Sequence, residues 1–393
     1  MSGYIFVTPD STEQAVHAGQ SVIDNCYILS FDLDNTLITT KSGKTFAVDR
    51  DDWKWKYANI FGRISKSIKL ISKQLRKCCN RITPYVVVCV ITNQLGVKKN
   101  KVSASDVKIK LARIINELSN NIHEQSMSIC AIASIEDDLC RKPRTQSLEI
   151  IKHSLSIQNI LGGAYVGDAS GYSGSWSDVD RKFAINADFD FYSDNEYFNN
   201  PAYVSISNRP VPALLLEYKA VRNDISYKNI SESIISNDKC LIIMCGSPAS
   251  GKTTFIQNVK KELENFQSVI VSQDELKTKT KCKKAVVNYI QDNTGYIFID
   301  NCNASKEVRD DWINLADKYH YSHLIFYLKT SKELSLHLNT YRKLSGGKIV
   351  PAIAIHSFFK KLEEPHGQFV KTFLSKEIIE SSAVSNSLLF QYL

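Results

Sequence analysis

Short apolar runs alternate with longer segments whose apolar residues recur every three or four positions, and both halves of the chain show this alternation. A short apolar run bounded by polar residues fits a strand buried on both faces, whereas three-and-four recurrence marks a helix with one buried face. The first series of predicted strands is Tyr27–Phe31, Tyr85–Ile91, Ser128–Ala133 and Gly163–Val166, with helices such as Arg63–Lys77 and Ser105–Leu118 between them. The second is Lys239–Cys245, Ser268–Val271, Tyr296–Ile299 and Leu324–Leu328. Strands alternating with helices predict βαβ units, and so an α/β protein of two domains, each a mainly parallel sheet flanked by helices. From about Ser207 to Asp238 the chain has two prolines, many polar residues and no long apolar run. The boundary is expected there, giving domains at 1–210 and 238–393 joined by a linker at 211–237. No internal repeat or low-complexity segment interrupts either half.

Composition narrows this picture modestly. At 393 residues, 43% hydrophobic and 23% charged, the chain is long enough for two buried cores and is globular in character. A net charge of +8 suits a polyanionic partner but does not by itself specify one. The ten cysteines form no Cys-x-x-Cys clusters, which fits reduced thiols in an intracellular protein of the nucleus or cytoplasm. Met1 to Pro9 is too short and mixed for a signal peptide, and the longest apolar run, Tyr85 to Ile91, is too short to span a membrane.

Two phosphate-handling patterns carry the chemistry. Phe31-Asp32-Leu33-Asp34-Asn35-Thr36-Leu37 places two carboxylates directly after a predicted strand, at the sheet edge where ligands bind in open α/β folds. Such a pair calls for a cation, Mg²⁺ being the best fit, and it divides labour well: one carboxylate attacks phosphorus and the other exchanges a proton with the leaving oxygen. Taken alone, the pattern could also be a surface turn or a Ca²⁺-like loop. Three more elements follow in order: the hydroxyl of Thr92 in Ile91-Thr92-Asn93-Gln94, the ammonium of Lys142 in Arg141-Lys142-Pro143, and the carboxylate of Asp168 in Val166-Gly167-Asp168.

Together these four elements resemble the haloacid-dehalogenase phosphatase superfamily. The resemblance implies Asp32 as nucleophile and Asp34 as general acid and then base. It also implies that Thr92 and Lys142 hold the phosphoryl group, and that Asp32, the Asp34 carbonyl and Asp168 bind Mg²⁺. Asp178 and Asp180 compete for the place of the last acidic residue, and either could be a solvated loop carboxylate.

The second pattern is Gly246-Ser247-Pro248-Ala249-Ser250-Gly251-Lys252-Thr253, between an apolar strand and a helix-like run. That context marks a nucleotide-triphosphate cradle. Lys252 is expected on the β- and γ-phosphates of ATP and Thr253 on Mg²⁺. Asp274, after the next strand, suits either a general base for an acceptor hydroxyl or a helix N-cap. Asp300-Asn301-Cys302-Asn303 forms a polar cluster at another strand end. Arg342, on a predicted helix before Gly346-Gly347, is placed to close as a lid on the transferred phosphate, the alternative being a solvated basic helix.

The combined pattern, from about Tyr27 to Pro365, resembles the bifunctional polynucleotide kinase 3′-phosphatases in their animal-type order: a haloacid-dehalogenase-like phosphatase followed by a P-loop kinase. It implies removal of 3′-phosphates and ATP-dependent phosphorylation of 5′-hydroxyls at DNA strand breaks, leaving ends that a ligase joins, by a monomer with no membrane partner. About 25 residues precede the first predicted strand, so the family's forkhead-associated domain is expected to be absent. Gln273 and Thr340 stand where the family tends to carry arginine, and Asn35 replaces the usual glycine. The same chemistry on RNA ends is the second reading. A small-molecule phosphatase fused to a metabolite kinase is the third, and a scaffold with a dead site the last.

Overall fold

The computed structural model describes residues 3–10, 22–78, 85–172, 175–199, 225–374 and 392–393. They fall into two compact units divided between 211 and 212, with Tyr392 grouped with the first.

In the first unit β1 (Tyr4–Val7), β2 (Ile23–Phe31) and the two-residue strands β3 (Ile38–Thr39) and β4 (Lys54–Trp55) precede α1 (Ile60–Cys78) and β5 (Tyr85–Asn93). Then come α2 (Ala104–Asn121), β6 (Met127–Ser134), α3 (Gln146–Ser154), β7 (Ile157–Gly167), α4 (Val179–Asn186), β8 (Asp190–Ser193) and α5 (Asp194–Asn199). The main sheet has the order β1-β6-β5-β2-β7-β8, parallel except for β1, which pairs antiparallel with β6. Alternation along β2 sends Leu29 and Phe31 into one core with α1 and α2, and Cys26 and Ile28 into the other with α3 and α4. Strand order reverses beside β2, so the carboxyl ends of β2 and β7 open the crevice where ligands enter such sheets.

The second unit runs α6 (Tyr227–Ile235), β9 (Cys240–Gly246), α7 (Lys252–Glu262), β10 (Ser268–Ser272), α8 (Gln273–Leu276), α9 (Lys279–Gln291) and β11 (Tyr296–Asp300). It continues with α10 (Lys306–Lys318), β12 (Ser322–Lys329), α11 (Lys332–Leu344), α12 (Ala352–Lys361) and β13 (Val370–Leu374). Its five strands are all parallel, in the order β10-β11-β9-β12-β13, so the reversal falls beside β9. Each buried Leu, Ile or Phe of β9, β11 and β12 contributes roughly 1.5–3 kcal/mol over an exposed one.

Both units are thus mainly parallel sheets flanked by helices. Three features differ from the sequence expectation. Strand β7 begins at Ile157, because the more polar stretch before Gly163 pairs with the start of β2 across a register shift at Cys26/Tyr27. Part of the segment 211–237 expected to be a linker is helical. Ile230 and Ile234 of α6 are buried in a core with β9 and α7, so α6 belongs to the second unit. The rest of the linker up to residue 224 lies outside the described residues. Finally, the first strand expected from the sequence is Tyr27–Phe31, yet Tyr4–Val7 already forms the edge strand of the first sheet. No helix among the described residues is long and apolar enough to cross a membrane.

Candidate active sites

The first site forms where β2 ends. Asp32 donates its backbone N–H to the Val166 carbonyl at 2.8 Å, tying the end of β2 to β7. The chain then turns sharply: Asn35 takes φ 62°, and the amides of Thr36, Leu37 and Ile38 all converge on the Leu33 carbonyl. Asparagine tolerates that left-handed conformation, so the turn forms without a glycine at this position. The Thr36 hydroxyl accepts the Asp168 N–H at 3.0 Å, locking the turn to the end of β7.

Lys142 is the hub. Its ammonium donates to Asp32 Oδ1 at 2.6 Å, Asp180 Oδ1 at 2.8 Å and the Tyr165 hydroxyl at 2.6 Å. Asn93 holds the Lys142 backbone from both sides, accepting its N–H and donating to its carbonyl. Tyr165 passes its own hydrogen to the Ile91 carbonyl at 2.9 Å. Carboxylate oxygens of Asp32, Asp168 and Asp180 lie within 4.8 Å of one another. Three carboxylates around one buried ammonium leave an excess of negative charge. Burial accordingly pushes the Asp32 carboxyl well above its ordinary range, against the pull of Lys142 and with Asp180 adding to the rise. Asp168 is raised by burial and then by Asp180. Burial alone would lower the Lys142 ammonium, but Asp180 and Asp32 outweigh it and hold it above normal.

Asp34 faces outward. The Gln94 amide donates to it at 2.6 Å and to Thr92 Oγ1 at 3.0 Å, and Lys110 of α2 approaches it at 3.3 Å. Thr92 is buried beside the cluster at the end of β5. Of the two late acidic residues, Asp180 is buried, bonded to Lys142 and to the Ala169 N–H. Asp178 is half exposed and pairs instead with Lys182. Tyr165, Gln94 and Lys110 were not singled out from the sequence.

Tyr165→Phe removes an acceptor from a buried ammonium, a loss worth about 1–3 kcal/mol. It should lower phosphate release by roughly tenfold while leaving phosphoryl addition unchanged, as read by assaying both activities on one preparation. An equal fall in the two activities would remove Tyr165 from the first site.

The second site begins where β9 ends. Ala249 and Gly251 take φ of 64° and 91°, winding the loop so that the first turn of α7 starts at Lys252. The Lys252 ammonium lies inside the loop against the carbonyls of Gly246 and Ser247, at 3.0 and 2.7 Å. Gly246 has no room for a side chain: a Cβ there would meet Ser250 Oγ at 2.8 Å and Leu328 at 3.2 Å. The Thr253 hydroxyl donates to Asp300 Oδ2 at 2.7 Å, so Asp300 at the end of β11 joins the site as a carboxylate that the sequence placed only in a polar cluster.

Asp274 sits in the first turn of the short helix α8 and is exposed. The N-cap there is Ser272, whose hydroxyl accepts the Asp274 N–H at 3.3 Å. Asp274's side chain therefore does not serve as the cap. Helix α11 touches the loop through Ser335 and Ser247, whose hydroxyls are 2.6 Å apart. Arg342 is exposed on the same helix, and Asn339 ties the following segment down through the Val350 N–H and carbonyl.

An aspartate-centred phosphoryl site in one unit and a P-loop in the other define a phosphatase and a kinase in one chain. Residues 27–198 match the family Polynucleotide kinase 3 phosphatase, and residues 240–370 match Chromatin associated protein KTI12. The chain is 27% identical, over 90% of its own length and 83% of the relative's, to the bifunctional polynucleotide phosphatase/kinase of Schizosaccharomyces pombe. It is 26% identical, over 84% and 78%, to a putative bifunctional polynucleotide phosphatase/kinase of Acanthamoeba polyphaga mimivirus. Among solved structures, Kti12 of Chaetomium thermophilum covers 34% of this chain and 87% of its own at 17% identity, with a TM-score of 0.30. The chain is a homologue of the bifunctional polynucleotide phosphatase/kinases, with a polynucleotide kinase 3 phosphatase domain followed by a KTI12-type P-loop kinase domain.

Proposed function

We propose that the enzyme heals nucleic-acid strand breaks, removing 3′-phosphates at the first site and phosphorylating 5′-hydroxyls from ATP at the second, with DNA ends as substrate. The observation that carries this reading is the cluster of Asp32, Lys142, Asp168 and Asp180 at one switch point, in the same chain as a P-loop whose Thr253 meets Asp300 at another. The product, a 3′-hydroxyl and a 5′-phosphate, is what a ligase consumes, so the reading places this enzyme directly before a ligase.

The oxygen-only donors of Asp32, Asp168 and the Asp34 carbonyl, with their excess charge, fit Mg²⁺ better than a soft metal. When bound, Mg²⁺ would supply charge neutralisation for the phosphoryl oxygens. Asp32, held by Lys142, attacks phosphorus and forms an aspartyl-phosphate. The ester oxygen departs as the 3′-hydroxyl with the proton of Asp34. Asp34 then takes a proton from water, which attacks the same phosphorus, releases inorganic phosphate and restores the Asp32 carboxylate. Thr92 and Lys142 donate to the non-bridging oxygens throughout.

At the second site Asp274 accepts the proton of a 5′-hydroxyl as its oxygen attacks the γ-phosphorus of ATP, and ADP leaves. The loop from Gly246 to Thr253 and the Lys252 ammonium hold the phosphates, and Thr253 with Asp300 fits a Mg²⁺ site there.

Asp274→Asn should reduce 5′-phosphorylation on the order of 10²-fold or more while ATP binding persists. The decisive assay uses oligonucleotides bearing 5′-hydroxyl and 3′-phosphate ends, in matched DNA and RNA forms, with Mg²⁺ and ATP. Faster turnover of free nucleotides or sugar phosphates than of either oligonucleotide would overturn the reading. Faster turnover of the RNA would move the substrate to RNA ends.

A further inference from the structure

Helix α1 holds six basic residues and no acidic one, so 19 residues carry +6 of the chain's net +8. Lys66, Lys69, Lys73, Arg76 and Lys77 are all exposed and, at about 100° per residue, fall within roughly 100° of arc on one face. The opposite face packs Ile60, Ile64, Ile68 and Ile71 into the first unit's core. A basic face opposite a core is commonly just solvated. Here, however, the like charges stand three and four residues apart, where each pair destabilises an isolated helix by about 0.2–0.5 kcal/mol. Only Lys69 has an acidic partner, Glu124 at 3.3 Å; among the described residues Lys66, Lys73, Arg76 and Lys77 have none. An open groove of about 660 Å³ is lined by Lys69, Lys73, Arg76 and Lys77 together with Glu124 and Gln125.

We propose that this face of α1 is a second binding site for the sugar–phosphate backbone of the substrate, engaging nucleic acid away from the reacting end. The proposal rests on the polynucleotide reading above. A helix joining the parallel strands β2 and β5 must run back against them, so α1 leads from the catalytic edge at Ile60 towards the opposite edge. From Lys66 to Lys77 the helix rises roughly 16 Å, a span along which duplex DNA carries on the order of nine or ten phosphates. An anionic membrane would also attract these charges. A helix that binds lipid surfaces inserts its apolar face, and that face of α1 is already buried in the protein.

The test is the combined variant Lys66→Gln, Lys69→Gln, Lys73→Gln, Arg76→Gln, in which glutamine keeps helix propensity and removes charge. Binding is read by fluorescence anisotropy with an oligonucleotide whose ends are unreactive, 5′-phosphate and 3′-hydroxyl, over a range of salt. Kd at low salt should rise on the order of tenfold or more, and the slope of log K against log salt should become shallower by about 3. The turnover number on a 3′-phosphorylated dinucleotide, too short to reach α1, should stay at the wild-type value. A charge-preserving Lys66→Arg, Lys69→Arg, Lys73→Arg variant should bind as wild type does.

An unchanged Kd and salt slope in the glutamine variant would overturn the proposal. So would lost binding to phosphatidylserine vesicles with oligonucleotide affinity intact, which would assign the face to a membrane. Because the probe is unreactive, failure of the end-healing reading shows separately, as absent turnover on oligonucleotide ends that still bind.

Discussion

Asp32→Asn is expected to abolish phosphate release, by on the order of 10⁴-fold or more, while 5′-phosphorylation continues at the wild-type rate. Asparagine has the shape of aspartate but no charged oxygen to attack phosphorus, so no covalent intermediate forms. The physical state of Asp32 sharpens the expectation. Its carboxyl is pushed upward by burial, so the folded protein disfavours the charged form relative to the unfolded chain. Replacing it with a neutral amide removes that cost, and Lys142 keeps Asp180 and Tyr165 as partners. The variant should therefore melt no lower than wild type. Parallel assays of released phosphate and of 5′-label, with a thermal melt of the same sample, test this. Loss of both activities in a protein that still melts normally would show that the two chemistries do not occupy separate sites.

Arg342→Ala is expected to lower kinase turnover by about 10³-fold, towards the lower end of what an arginine on a transferring phosphoryl group supplies. Ser335 fixes α11 to the phosphate loop through Ser247. Arg342 lies seven residues on, two turns along the same face and about 10 Å further from that anchor. Arg342 is also the only arginine between Leu328 and the C-terminus, so no neighbour in that segment reproduces its planar pair of donors. ATP affinity should change far less than turnover, phosphate release should not change, and Arg342→Lys should remain well below wild type. Single-turnover kinetics with separately measured ATP binding decide the matter. Near-normal turnover in the alanine variant would return this face of α11 to solvent.

The main chemistry was legible because it is written in contiguous residues: Asp32 and Asp34 directly after a strand, and the loop from Gly246 to Thr253 between a strand and a helix. What was hidden depends on residues that meet only through the sheet order. Asp300 reaches Thr253 because β11 lies beside β9, an adjacency that spacing along the chain does not reveal. Tyr165 reads as one more apolar strand residue until β7 places its hydroxyl under Lys142. Two signals were available in helical phase. Asp180 shares the face of Phe183 and Ala184, both buried, whereas Asp178 lies nearly opposite, which separates the two carboxylates. Lys110 falls three residues after the buried Val107 and one before the buried Leu111, and a lysine in that position needs a partner; it finds Asp34. Helix α6 was missed because its nine residues are mostly polar and only Ile230, Ser231 and Ile234 are buried.

Strand β1 is four residues long and lies far along the chain from the strand it covers. It nonetheless occupies the whole hydrogen-bonding flank of β6 from Ala131 to Ser134. A protein shortened to begin at Val22 would keep every catalytic side chain but present that flank as a bare edge, a ready template for strands of other molecules. Tyr4–Val7 thus keep this run of β6 from becoming the sheet's edge, and trimming them is expected to cost solubility before it costs chemistry.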